Sequence, residues 1–147
     1  FQPRLIPNAM ETRGVLAQVD PTGDITLWSA TQTPHIQRFV LQLVLGVPES
    51  KIRVIAPDVG GGFGSKIQVY GEGPIAIAIS RRLGRPVQLV VLNSAPADLR
   101  IRVMRAERLL VDRNRSARIR FEVATRNEFF DLEPMLREYR RPRERRP

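Results

Sequence analysis

Alternation of apolar and polar positions organises the start of the chain. Val15, Ala17 and Val19 take every second position against Leu16 and Gln18, and Ile25 and Leu27 flank Thr26 on the way to Trp28. A period of two marks half-buried strands. Between them, Asp20-Pro21-Thr22-Gly23-Asp24 carries turn chemistry, with Pro presetting φ and Gly free to take φ > 0. Residues 14–31 therefore read as a β-hairpin, with Trp28 most simply a core residue at a strand end. The period then changes. Ile36, Phe39, Val40, Leu43 and Val44 follow i, i+3, i+4, i+7, i+8 and predict a helix with one apolar face. Thr33 is placed to cap it, Pro34 to occupy its first position, and Gly46 and Pro48 to end it.

Residues 51–56 alternate again, Ile52, Val54 and Ala56 against Arg53 and Ile55, a strand that ends at Pro57. A loop of Gly60-Gly61-Gly62-Phe63-Gly64 comes next. A second helix is expected from about Pro74 to Leu83, stopped by Gly84, and the continuous apolar run from Pro86 to Leu92 predicts a buried strand. The order is β-hairpin, helix, strand, Gly-rich loop, helix, strand, which is an α+β (mixed α/β) fold. Beyond it, Arg102–Val111 and Ala117–Ala124 could pair as a hairpin across Asp112-Arg113-Asn114-Arg115-Ser116, and a helix over 97–111 competes with that reading. Tyr139 to Pro147, rich in Arg, is expected to be disordered.

Composition places a break near residue 92. All ten Gly lie at or before Gly84. Residues 1–92 carry 9 Lys and Arg against 6 Asp and Glu, and residues 93–147 carry 15 against 9. Residues 1–92 are accordingly read as one domain and 93–147 as a continuation of different character. A length of 147 residues with 42% apolar content suits one domain with a modest core. No run approaches the roughly 18–20 apolar residues of a membrane span, and no basic, apolar, small-residue stretch reads as a secretory signal. A soluble, cytoplasmic protein is the expectation, and one that begins mid-protein, since the chain opens Phe1-Gln2-Pro3 without Met.

The absence of Cys excludes disulfides, thiolate metal sites and a Cys nucleophile. A single His35 cannot build a His-rich site, so a transition metal would have to arrive inside an organic cofactor. The net charge of +9 and the Arg-rich end raise a nucleic-acid module. Interspersed acids and the lack of an aromatic-interleaved basic stripe argue against it.

Two stretches could carry chemistry. The glycine loop frees backbone N–H groups to converge on a ligand with no Cβ in the way. It matches neither the phosphate-binding G-x-x-x-x-G-K-[ST] pattern nor the dinucleotide fingerprint G-x-G-x-x-G, and a plain strand-to-helix turn is the alternative. Gln32, in Ser29-Ala30-Thr31-Gln32-Thr33-Pro34-His35, places a neutral amide at a strand-to-helix junction, where it can donate and accept hydrogen bonds without adding charge. A solvated loop residue is its bland alternative.

Together, "WSATQTPHIQRFVLQLVLGVPESKIRVIAPDVGGGFGSK" resembles the molybdenum-binding region of the xanthine oxidase and aldehyde oxidase family of large subunits, closest to the carbon monoxide dehydrogenase branch. "IPNAMETRGVLAQVDPTGDITLW" before it and "YGEGPIAIAISRRLGRPVQLV" after it fit in the same order, so the resemblance runs from about Pro3 to Val91. It implies a molybdopterin cofactor with Mo, as the cytosine dinucleotide in most bacterial members. It also implies oxidation of carbon monoxide, aldehydes or N-heterocycles with water as oxygen source. Electrons would pass to FAD and iron–sulfur clusters on partner subunits, and the remainder of the large subunit would complete the site.

The family Gln that hydrogen-bonds a Mo oxo ligand corresponds to Gln32. The family Phe-Gly against the cofactor corresponds to Phe63 and Gly64, with Gly61 and Gly62 giving close backbone approach. An uncharged amide N–H can orient an electron-rich oxo group without neutralising the metal. Purine-oxidising members carry Glu after the loop Lys, where this chain has Ile67, which favours the carbon monoxide dehydrogenase-like branch. No catalytic residue is assigned, since the family's substrate loop and its general-base Glu have no match here. Asp58 is expected to bond the loop backbone, Glu72 to be a solvated first-turn residue, His35 a surface residue, and Lys66 an ion-pair member or a phosphate contact. The expected function is that of a molybdenum hydroxylase fragment, inactive alone, with a degenerate remnant as the alternative.

Overall fold

The computed structural model describes residues 9–106 and 108–139. The Arg-rich end from residue 140 onward, expected to be disordered, lies outside the described residues. The chain divides into two compact units, Phe1–Ala95 and Pro96–Pro147.

The first unit is a four-stranded sheet with two helices. Strands β1 (Gly14–Val19) and β2 (Ile25–Ser29) form the hairpin, antiparallel, with Val15 opposite Ser29 and Val19 opposite Ile25. Its turn is built by Asp20, whose Oδ1 accepts from the Thr22 N–H, the Thr22 hydroxyl and the Asp24 N–H at 2.9, 2.7 and 2.9 Å. Gly23 takes φ 85° there. Helix α1 (Pro34–Leu45) then crosses to β3 (Ile52–Ile55), which pairs parallel with β2, as parallel neighbours require an intervening crossover. After the glycine loop come α2 (Glu72–Leu83) and β4 (Val87–Val90), the latter antiparallel to β1. The sheet order is β3-β2-β1-β4.

Both helices end as their sequences predict, on Gly46 and Gly84 in the left-handed region, with N–H groups returned to Gln42 and Ser80 carbonyls. The core is the inward set of the alternation, Val15, Ala17, Val19, Ile25, Leu27 and Ile52, closed by Leu41, Ala76 and Ile77 from the helices. Ser80, buried among them, accepts the Val19 N–H at 3.0 Å and donates to the Arg85 carbonyl at 2.9 Å, so its hydroxyl is satisfied.

Four expectations change in this unit. Helix α1 packs through Leu41, with Gln37 buried and Leu45 partly so, while Ile36, Phe39, Leu43 and Val44 stay 53, 52, 65 and 61% exposed. The broad apolar face thus points outward, because the narrower 37/41/45 stripe is the one the sheet receives. Thr33 makes no side-chain cap; its hydroxyl donates instead to the Ile67 carbonyl at 2.9 Å. Strand β4 lies at the sheet edge with alternating exposure rather than being buried. Trp28 is half-buried, since it stands on the sheet face opposite the core.

In the second unit, the hairpin across 112–116 gives way to helices α3 (Ala97–Ala106) and α4 (Arg115–Tyr139). The rival helix over 97–111 is realised as far as Ala106. Asn114, read as a turn residue, caps α4 by accepting the Ala117 N–H at 2.9 Å. The spacing Thr125, Phe129, Leu132, Leu136 carries a helical period farther than the short alternation before it carries a strand. Ala97, Ile101 and Phe129 form the unit's core, with Leu132 and Leu136 packed on it. Arg100 reaches Thr125 and Glu128 from α3. Among the described residues no helix is long and apolar enough to cross a membrane.

Candidate functional site

The segment after β2 and the segment after β3 meet at the ends of neighbouring strands. Parallel pairing of β2 and β3 brings their C-terminal ends side by side, Trp28 opposite Ile55. The chain leaving β2 carries Gln32, and the chain leaving β3 carries the glycine loop. Loop and junction are then laced together. The Gln32 N–H donates to the Lys66 carbonyl at 3.1 Å, and the buried Thr31 hydroxyl donates to the same oxygen at 3.2 Å.

The Gln32 side chain returns the contact. Its Oε1 accepts the N–H groups of Gly64 at 3.1 Å and Lys66 at 3.3 Å. Only the oxygen of a carboxamide can accept two donors, so the amide plane is fixed with Nε2 turned away from the loop. Among the described residues Nε2 has no hydrogen-bond partner, and the residue is exposed. The arrangement offers a pair of neutral N–H donors to whatever lies in front of the loop.

The glycines permit this approach. A Cβ on Gly62 would sit 2.3 Å from Gln32 Cδ, closer than any side chain tolerates. Gly61 and Gly64 hold φ 92° and 82°, a region open to Gly and costly for other residues. Phe63, with φ 49°, shares that conformation despite its Cβ and is the one non-Gly residue to do so among the described residues. Its ring lies beside Gly61, where an added Cβ would meet Phe63 Cε2 at 2.8 Å, and is 70% exposed. A bulky residue held in a strained conformation with its ring toward solvent is a feature that functional loops retain. The structure therefore gathers Gln32, Gly61, Gly62, Phe63 and Gly64 in one place.

The charged residues sort differently. Lys66 Nζ is buried and pairs with Glu11 Oε2 at 2.8 Å, which is the ion-pair reading rather than the phosphate one. Glu72 is not merely solvated: it pairs with Arg13 at 3.2 Å at the start of α2. Asp58 and His35 are not buried. Sequence reasoning missed Glu11, Arg13 and Tyr70. Arg13 lies over the Tyr70 ring at 3.7 Å, and the Tyr70 hydroxyl donates to the Ser65 carbonyl at 2.8 Å. The one signal was that Glu11 and Arg13, flanking Thr12 just before an apolar strand, sit where charge has no local use. Behind the loop, Arg13, Thr31, Gln37, Lys66, Tyr70 and Glu72 help to line a cavity of about 20 Å³.

Comparison with known proteins gives the family. Residues 2–96 match the family model of the molybdopterin cofactor-binding domain. The chain is 45% identical over 91 residues to the carbon monoxide dehydrogenase large chain of Hydrogenophaga pseudoflava, a match covering 61% of this chain and 11% of that one. It is 44% identical over 88 residues to the nicotine 6-hydroxylase large subunit of Paenarthrobacter nicotinovorans, covering 59% and 11%. Among solved structures, reconstituted CO dehydrogenase from Oligotropha carboxidovorans superposes with a TM-score of 0.56 at 45% identity, over 58% of this chain and 11% of that one. The chain thus spans about a tenth of the length of these relatives. With a matching family model across the whole sheet unit, the chain belongs to the molybdopterin cofactor-binding domain family.

Proposed function

We propose that this chain supplies one wall of the molybdenum-cofactor site of a hydroxylase large subunit, with Gln32, Gly61, Gly62, Phe63 and Gly64 as the cofactor-facing residues. The observation that carries the reading is the Gln32 side chain. Its oxygen is consumed by the Gly64 and Lys66 N–H groups, which leaves the exposed Nε2 with two N–H donors, suited to an electron-rich acceptor such as an oxo group of a molybdenum cofactor. The exposed ring of Phe63 suits the same ligand. When bound, the cofactor supplies two-electron oxidation chemistry; the chain's part is to orient it and to hold backbone close to it.

The whole protein, on this reading, oxidises carbon monoxide or an aldehyde with water as the oxygen source. Ile67 after the loop lysine favours that branch over purines. It works in the cytoplasm with the cytosine dinucleotide form of the cofactor, with the remainder of the large subunit and with partner subunits bearing FAD and iron–sulfur clusters. The 147-residue chain by itself, with no assigned general base, is inactive.

Expression in a molybdenum-sufficient host tests the proposal. Pterin released on denaturing the purified chain, read by fluorescence of its oxidised form, should be present for the wild type and fall at least several-fold in Q32A and F63A. Equal pterin in all three, or none in the wild type, overturns the cofactor reading. Dye reduction driven by carbon monoxide or acetaldehyde overturns the inactivity of the chain alone.

A further inference from the structure

We infer that Glu11 and Lys66 act as a positioning pair that sets the orientation of the Gln32 amide. The purpose of the pair rests on the proposed role of Gln32; its test does not. Lys66 Nζ lies 2.8 Å from Glu11 Oε2, with the lysine side chain 1% exposed. The same carboxylate oxygen accepts the Gly60 N–H at 2.8 Å, and the Glu11 N–H donates to the Gly60 carbonyl at 3.1 Å. A residue just ahead of β1 therefore grips both ends of the glycine loop, Gly60 and Lys66, and draws them together.

The grip reaches Gln32 through the backbone of Lys66. That residue donates its N–H to Gln32 Oε1 at 3.3 Å, and its carbonyl accepts the Gln32 N–H at 3.1 Å and the Thr31 hydroxyl at 3.2 Å. A buried ammonium must stay with its counter-charge, because leaving it uncompensated is far costlier than keeping the pair. Lys66 is thereby pinned at its side-chain end while its backbone holds the glutamine. An exposed glutamine otherwise samples many rotamers; here the two N–H groups on Oε1 select one. Lys66 is the buried member of the pair, its side chain 1% exposed against 35% for Glu11. Lys66 is spent in this contact and offers no charge to the cofactor.

Residue-resolved amide hydrogen exchange on the 147-residue chain, without cofactor, tests the inference for the wild type, K66M and E11Q. Met fills the space of the lysine stem without its charge, and Gln keeps an acceptor oxygen at the same place while losing the charge. In both variants the Gly64 and Lys66 amides should exchange at least tenfold faster, with Ala17 and Leu27 at wild-type rates. The Gln32 side-chain NH2 resonances should move toward those of a free glutamine. The double variant E11Q/K66M should be no worse than K66M, the non-additivity expected of one unit. Should K66M fail to fold, E11Q carries the same expectation. Unchanged exchange at Gly64 and Lys66 overturns the inference, and so does a uniform acceleration that includes Ala17 and Leu27. A wild-type chain that retains no pterin would overturn the cofactor reading and leave the exchange result standing.

Discussion

Gly62 leaves no room for even a methyl group. With Gln32 Cδ 2.3 Å from the position of its absent Cβ, a G62A substitution must push the glutamine off Oε1's two donors or move the loop. Gln32 is exposed and the clash is with the far end of its flexible side chain, so urea denaturation of G62A should read a loss of no more than about 0.5 kcal/mol, while the Gly64 and Lys66 amides lose their acceptor and exchange faster. Nothing in the local sequence shows this contact, because Gln32 and Gly62 meet only once β2 and β3 have paired. Residue types and their order were legible; the orientation of the amide was not. Two polar atoms also wait on the same cavity. Gln37 Oε1 and Arg13 Nε are buried with no hydrogen-bond partner among the described residues, beside a cavity of about 20 Å³ that both residues line. That volume suits one water molecule. A crystal structure at high resolution should show an ordered water bonded to at least one of them.

At the scale of elements, α1 separates what periodicity can and cannot tell. Its extent was readable from Pro34 and Gly46, which are local signals. Its facing was not, because the sheet decides which stripe is received. The two faces should respond differently to substitution. L41A removes a fully buried side chain and should cost about 2–5 kcal/mol of stability. F39S, on the outward face, should change stability by no more than about 0.5 kcal/mol while lowering the binding of a hydrophobic dye. The hairpin turn adds a pH-dependent contribution. The Asp20 carboxyl is held below its ordinary value of 3.8, chiefly by the Thr22 hydroxyl; desolvation is the next largest effect and opposes it, and the backbone N–H groups of Asp24, Thr22 and Gly23 each lower it further. A lowered folded pKa means stability that is fully present above the unfolded value and lost as pH falls through the folded one. Acid titration of the wild type should therefore show a loss beginning below about pH 4 that is reduced in D20N. The α3–α4 segment was ambiguous for a different reason: Ile119, Phe121 and Val123 satisfy a short strand alternation, and only the longer run to Leu136 reveals the helical period.

For the whole molecule, two cores imply two cooperative units. Leu27, Leu41 and Ile77 belong to one core, and Ala97, Ile101 and Phe129 to the other. Calorimetry of the chain should resolve two transitions, and a truncation after Ala95 should keep the one assigned to the sheet. The compositional break near residue 92 was visible without coordinates, since glycine disappears and arginine accumulates. The structure beyond the break was visible only as an alternative between hairpin and helix. On α2, Ile75 and Leu83 are likewise more than half exposed, so both helices of the sheet unit carry large apolar side chains outward.

The pinch at Glu11 has a consequence for the order in which the site can assemble. Contacts between distant residues form late, after shorter loops have closed. The β1–β2 hairpin needs only its own turn, and it can form while later residues are still being synthesised. Gln32 meets Lys66 across 34 positions of sequence, and Glu11 meets Lys66 across 55. The glutamine's strand can therefore pair before the contacts that orient its amide have closed, and the recognition geometry is complete only once Lys66 has docked on Glu11.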